Sequence, residues 1–132
     1  MNTKELIEFS ESFFGGAIET MKKKNADYTG SKEDNPFANF QAVEAFGLKT
    51  EVGFLTRMTD KMARISSFVK NGELQVKDES VQDTLLDLAN YSMLFAAYLE
   101  SQRKEKQKNL IISIMNEDEK DGLYDTRTTQ SN

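Results

Sequence analysis

Glu79, Asp83 and Asp87 stand at i, i+4 and i+8, with Asn90 three residues further on. At about 100° per residue, that spacing puts all four on one stripe of an α-helix. Like charges at this spacing repel, and a cation set between them relieves the repulsion. Carboxylates are the hard oxygen donors that magnesium or manganese takes, and Lys61, Arg57 or Arg64 would serve the same electrostatic end. The residues also have a plainer use. Ser80 with Asp83 makes a capping box, and Glu79 is favoured at a helix N-terminus by the dipole alone. Spacing leaves both readings open.

A second cluster, Arg57, Asp60, Lys61 and Arg64, follows the helical steps i, i+3, i+4 and i+7. Either it is a solvated ion-pair face, or it binds phosphate, with arginine offering a fork and lysine a point charge while Asp60 orients them or joins the metal ligands. A third group, Lys24, Asn25, Asp27 and Tyr28, precedes Thr29-Gly30. Its polar residues suit Asx turns. They equally suit a nucleotide, with Tyr28 stacking on the base and Asn25 and Asp27 reading its edge.

Composition narrows the chemistry. The 132 residues contain no cysteine and no histidine, so disulfides, thiolate nucleophiles, zinc-thiolate sites and Ser-His-Asp triads are excluded. Seventeen basic against 22 acidic residues give a net charge of -5, which argues against a duplex nucleic acid as partner. The opening Met1-Asn2-Thr3-Lys4-Glu5 leads into no long apolar run. No membrane association and a cytoplasmic location are therefore expected.

The elements that must position these groups are helical. Proline occurs once, at Pro36, and the apolar spacing has a helical period, so an all-α, single-domain bundle of about four helices is predicted. The first helix is expected from about Thr3 to Lys24, with Asn2 and Glu5 as a capping box and Leu6, Phe9, Phe13, Ala17 and Met21 on one face. Gly15-Gly16 should weaken it or admit a close neighbour. A loop is expected from Asn25 to Pro36, then a short helix from Pro36 to Phe46 ended by Gly47. The third helix should start at Thr50 as cap and stop at Asn71-Gly72, with Phe54, Leu55, Met58, Met62, Ile65 and Val69 inward. The fourth should begin near Asp78 to Ser80, run to at least Lys106, and be buried nearly all round. One domain is expected over residues 1–115, with a disordered, flexible tail over 116–132. The apolar run Leu110 to Met115 is too short for a membrane and too apolar for water, so a homo-oligomer is expected to cover it.

Taken in order, Lys24-Asn25-Ala26-Asp27-Tyr28, then Arg57-Met58-Thr59-Asp60-Lys61-Met62-Ala63-Arg64-Ile65, then Glu79 to Tyr91, the chain resembles the nucleotide modification associated domain, a small family frequent in bacteriophage genomes. The likeness covers roughly Met21 to Leu99. It assigns nucleotide binding to Lys24, Asn25, Asp27, Tyr28, Arg57, Lys61, Arg64, Asn90 and Tyr91, and metal binding to Glu79, Asp83, Asp87 and Asp60. That family in turn is similar to the MazG-type all-α nucleoside triphosphate pyrophosphohydrolases, which hold magnesium with ExxE and ExxD motifs. Here the acid before Asp83 is Glu79, four residues back, and no ExxE stands on the third helix. The resemblance implies one of two functions. One is a magnesium-dependent (or manganese-dependent) hydrolase of a nucleoside triphosphate or modified deoxynucleotide. The other is a non-catalytic binder that sequesters a nucleotide signal of host anti-phage defence.

Overall fold

The structure, a computed structural model, describes the backbone of residues 1–28, 35–73 and 80–125, with side chains at 1–24, 35–73 and 80–122. It is all-α, with no strand among the described residues. The elements are α1 (Thr3–Tyr28), α2 (Ala38–Gln41) running into a 3₁₀ turn (Ala42–Phe46), α3 (Thr50–Asn71) and α4 (Val81–Asp125). None of these helices is long and apolar enough to cross a membrane. The chain divides into two compact units, Met1–Ala96 and Ala97–Asn132.

In the first unit the helix ends follow local chemistry. The Asn2 N–H donates to the Glu5 carboxylate at 2.8 Å and the Glu5 N–H to the Asn2 side chain at 3.0 Å, so the expected capping box opens α1. The helix then runs one turn beyond the expected end at Lys24, through Tyr28. No glycine or proline stands between Lys24 and Tyr28 to stop it, and the residues taken for a loop form its last turn. Gly15 and Gly16 lie inside the helix with open space where a Cβ would be, so they admit no close neighbour. The expected inner face is only half realised. Ala17 is buried, whereas Leu6 and Phe9 are exposed.

Asn35 accepts from the Phe37 N–H at 3.0 Å, an Asx turn that carries Pro36 into α2. The short helix tightens to 3₁₀ geometry and ends at Gly47, whose φ of 74° lets its N–H return to Glu44. Helix α3 has Lys49 as N-cap, one residue before the expected Thr50, and Gly72 at φ 78° as C-cap. Thr50 is instead buried in the first turn, where its hydroxyl donates to Glu44.

Aromatic stacking forms the centre of this unit. Phe54 of α3 is fully buried between Phe40 of α2, stacked at 3.9 Å, and Phe95 of α4, stacked at 4.9 Å. Such pairs add about 0.5–1.5 kcal/mol each beyond the area they bury. Gly53 allows the closeness, because a Cβ there would stand 2.2 Å from the Phe40 carbonyl oxygen.

The inward face of α3 differs from the expected one. Leu55, Met62 and Val69 are exposed, and Lys61 is buried. The face that packs is Phe54, Met58, Lys61 and Ile65, a strict i, i+4, i+7, i+11 stripe in which lysine takes an apolar position. Helix α4 is likewise not buried all round, since Leu85 and Met93 are 42% exposed. In the second unit, α4 continues to Asp125 and its apolar run Leu110 to Met115 is exposed. Glu117-Asp118-Glu119-Lys120 adds mostly residues that favour or tolerate helix.

Candidate functional site

The acidic stripe of α4 is divided by its environment. Asp83 is exposed and belongs to the helix start. Its carboxylate accepts from the Ser80 N–H at 3.0 Å and hydroxyl at 2.7 Å, while its own N–H donates to Ser80 Oγ at 3.1 Å. The Ser80 hydroxyl, then the Ser80 N–H, hold its carboxyl below the usual range. One turn on, Asp87 points into the first unit and takes two ammonium groups. Lys61 Nζ lies 2.8 Å from one oxygen and Lys24 Nζ 3.0 Å from the other. Burial works to raise the Asp87 pKa, but hydrogen bonds from Lys61 and Lys24 outweigh it and the carboxyl lies below its usual value.

Asn90 follows on the same face, only 8% exposed, and its amide makes no hydrogen bond among the described residues. Tyr91 comes next and meets Phe40 edge to face at 6.0 Å.

Tyr91 borders a cavity of about 170 Å³, lined also by Lys24 and Met21 of α1, Asn39 and Phe40 of α2, Arg57 of α3 and Leu94 of α4, with Pro36 at its edge. Two cations and two aromatic rings therefore share one concave surface. Arg57 enters no ion pair among the described residues. The charge it brings to the cavity is not neutralised there.

The remaining sequence-predicted residues lie apart. Asp60 and Arg64 pair with each other at 3.4 Å along α3, with Asp60 more than half exposed. Among the described residues no three carboxylates come together as a metal-binding group. Asp83 is held by its cap, Asp87 by two lysines and Asp60 by Arg64, so these three acids do not fit a shared magnesium as they stand. Glu79 and the side chains of Asn25, Asp27 and Tyr28 lie outside the described residues. Lys61, expected to neutralise phosphate, spends its charge on Asp87.

The model of the family described as nucleotide modification associated domain 1 matches residues 24–98. The chain belongs to this family. The match begins at Lys24, the first residue of the cavity lining in the last turns of α1 apart from Met21, and ends just past Phe95. It therefore takes in Asn39, Arg57, Asp87, Asn90 and Tyr91. No curated protein and no solved structure matches the chain. The nucleotide modification associated domain thus carries a lining that sequence reading partly missed. Asn39 and Phe40 were passed over as parts of a short connecting helix. The Phe37/Phe40 spacing behind Pro36 was the available signal, since two aromatic residues on a helix of this length must pack against something.

Proposed function

We propose that this member of the family is a nucleotide-binding protein, with the ligand seated in the cavity between Phe40, Tyr91, Arg57 and Lys24. The observation that carries the reading is the pairing, on one concave surface, of two aromatic walls with an arginine that no carboxylate neutralises among the described residues. A base packs against aromatic faces, and arginine offers a planar fork to phosphate oxygens. Pockets for drug-sized ligands hold about 300–1,000 Å³. At about 170 Å³ this cavity suits a base, leaving sugar and phosphates to extend past Arg57 and Lys24.

Binding without turnover is the better-supported form of this reading, because Asp83, Asp87 and Asp60 are each occupied by protein partners. For magnesium-dependent hydrolysis, Asp87 would have to exchange at least one lysine for the metal. A protein that retains a nucleotide and leaves its bonds intact would serve to sequester a nucleotide signal, the role a bacteriophage would need against a host defence. The test is to incubate the protein with a panel of nucleosides and nucleotides, with and without magnesium, and to resolve the free and protein-bound fractions by chromatography. Depletion of one nucleotide that is recovered intact on denaturing the protein supports binding. Conversion that requires magnesium would replace this reading with the hydrolase. No depletion and no conversion across the panel would reject both.

A further inference from the structure

The second unit carries a surface that the nucleotide site does not use. Along α4 past Ala97, the exposed run Leu110 to Met115 lies between two blocks of opposite sign. Arg103 to Lys108 holds four cations and one acid, a net charge of +3, and Glu117 to Asp121 holds four acids and one cation, a net charge of -3. Glu100 takes Arg103 at 2.8 Å and Lys104 at 3.7 Å. Beyond those, Lys106, Lys108, Glu117 and Glu119 enter no ion pair among the described residues.

We propose that this segment is a dimerisation helix, pairing antiparallel with the same segment of a second copy of the chain. A parallel pair would set each block against its own likeness and repel. An antiparallel pair sets the basic block of each copy beside the acidic block of the other and brings the two apolar runs together at the centre. When the two-fold axis passes between Ile112 and Ser113, Lys104 lies level with Asp121, Lys106 with Glu119, and Lys108 with Glu117. In the proposed register Ile111 meets Ile114 and Leu110 meets Met115, so apolar groups cover one another where the charges stop. The paired stretch, Arg103 to Gly122, is about 30 Å long at ~1.5 Å per residue. Most helical stability in proteins comes from packing of an apolar face, so this stretch gains from a partner.

The experiment uses the full chain. Sedimentation equilibrium of the wild type should give a dimer that weakens as salt is raised. Lys106→Glu with Lys108→Glu should raise the dissociation constant at least tenfold, and adding Glu117→Lys with Glu119→Lys to the same chain should restore it. Because the protein has no cysteine, Lys104→Cys and Asp121→Cys chains can be mixed under oxidation. The antiparallel register gives a disulfide between the two different variants. Circular dichroism confirms that each variant keeps its helix. A monomeric wild type, a dimer indifferent to the charge reversals, or disulfides formed mainly between two Lys104→Cys chains would overturn the proposal.

Discussion

Lys61 and Asp87 lie 2.8 Å apart inside the first unit, joining α3 to α4 through a lysine that is 8% exposed. A nearly buried ammonium is tolerable only beside a counter-charge. Asp87 also reaches Lys24 at 3.0 Å, so one carboxylate ties three helices together next to the cavity. Its position is thereby set before any ligand arrives. Arg57 enters no ion pair among the described residues and is available for a phosphate.

Removing the shared carboxylate should cost more than removing either amine. Asp87→Ala removes the carboxylate that stands 2.8 Å from the buried Lys61 ammonium, and breaking buried pairs costs about 3–5 kcal/mol. Asp87 keeps some solvent contact, so about 2–3 kcal/mol is expected from denaturant unfolding. Lys24→Ala should cost well under half of that, because the Lys24 side chain is 51% exposed. Equal losses in the two variants would show that the burial of Lys61 is not what makes the pair matter.

Acid should weaken the fold through the same residue. The folded pKa of Asp87 lies below its ordinary 3.8, so the native state binds its proton less readily than the unfolded chain. The stability gained from this shift is present above about pH 4 and is lost as pH falls through the folded value. In Asp87→Asn that part of the acid dependence should vanish. Urea titrations between pH 2.5 and 5 should therefore give a shallower slope for the variant than for the wild type.

Gly53→Ala should destabilise the protein. The added Cβ would meet the Phe40 carbonyl oxygen at 2.2 Å, a contact with backbone that no side-chain rotation can relieve. Overpacking of this kind costs about 1–3 kcal/mol, and the upper half is expected. The comparison is Gly15→Ala, where nothing lies within 4 Å and the gain in helix propensity should stabilise by up to about 1 kcal/mol. Thermal melts that fail to separate the two variants in opposite directions would remove Gly53 as the close-approach position.

These contrasts show what could be read before the structure. The helical class, the Asn2/Glu5 box, the Gly47 and Gly72 stops and the Ser80/Asp83 start were legible because each depends on residues within four positions of one another. The site was legible in part. Arg57, Lys24 and Tyr91 were named, and so, beside Arg57 and Arg64, was Lys61 as a counter-charge to the acidic stripe. Its position on the Phe54, Met58, Ile65 stripe signalled burial, yet the sequence does not say that Asp87 stands opposite, since that pairing spans 26 residues and depends on how α3 meets α4. Phe40 was hidden for the same reason, as its stacking on Phe54 rests on tertiary contact. The inward placement of Leu55, Met62 and Val69 failed because the apolar residues of α3 outnumber the positions its neighbours cover.

At Asp83 two readings differ in sign. As one of three crowded acids it would stabilise the metal-free protein when neutralised. As the partner of Ser80 it is part of the cap that starts α4, so Asp83→Ala should lower the melting temperature in the absence of metal. Magnesium tested on both proteins adds a second comparison. A melting temperature raised by magnesium in the wild type and unmoved in the variant would show that Asp83 leaves its cap to hold a metal, and would favour the hydrolase.

The assignment of the phosphate cation to Arg57 separates it from Arg64, which lies on the same helix but is paired with Asp60 at 3.4 Å. Arg57→Ala should weaken a nucleoside triphosphate more than the matching nucleoside, and should flatten the salt dependence of binding, because a lost phosphate contact no longer releases counterions. Arg64→Ala should change neither by more than about twofold, the scale expected when an exposed i,i+4 pair is removed. Tyr91→Ala should weaken nucleoside and triphosphate alike, by about 1–3 kcal/mol, since stacking on the base does not depend on the phosphates. Titration calorimetry at two salt concentrations, with the nucleotide that the wild type retains, distinguishes the three. If Arg64→Ala loses phosphate-dependent affinity while Arg57→Ala keeps it, the phosphates lie along α3 beyond the cavity, and the seat proposed for the base beside Tyr91 has to move with them.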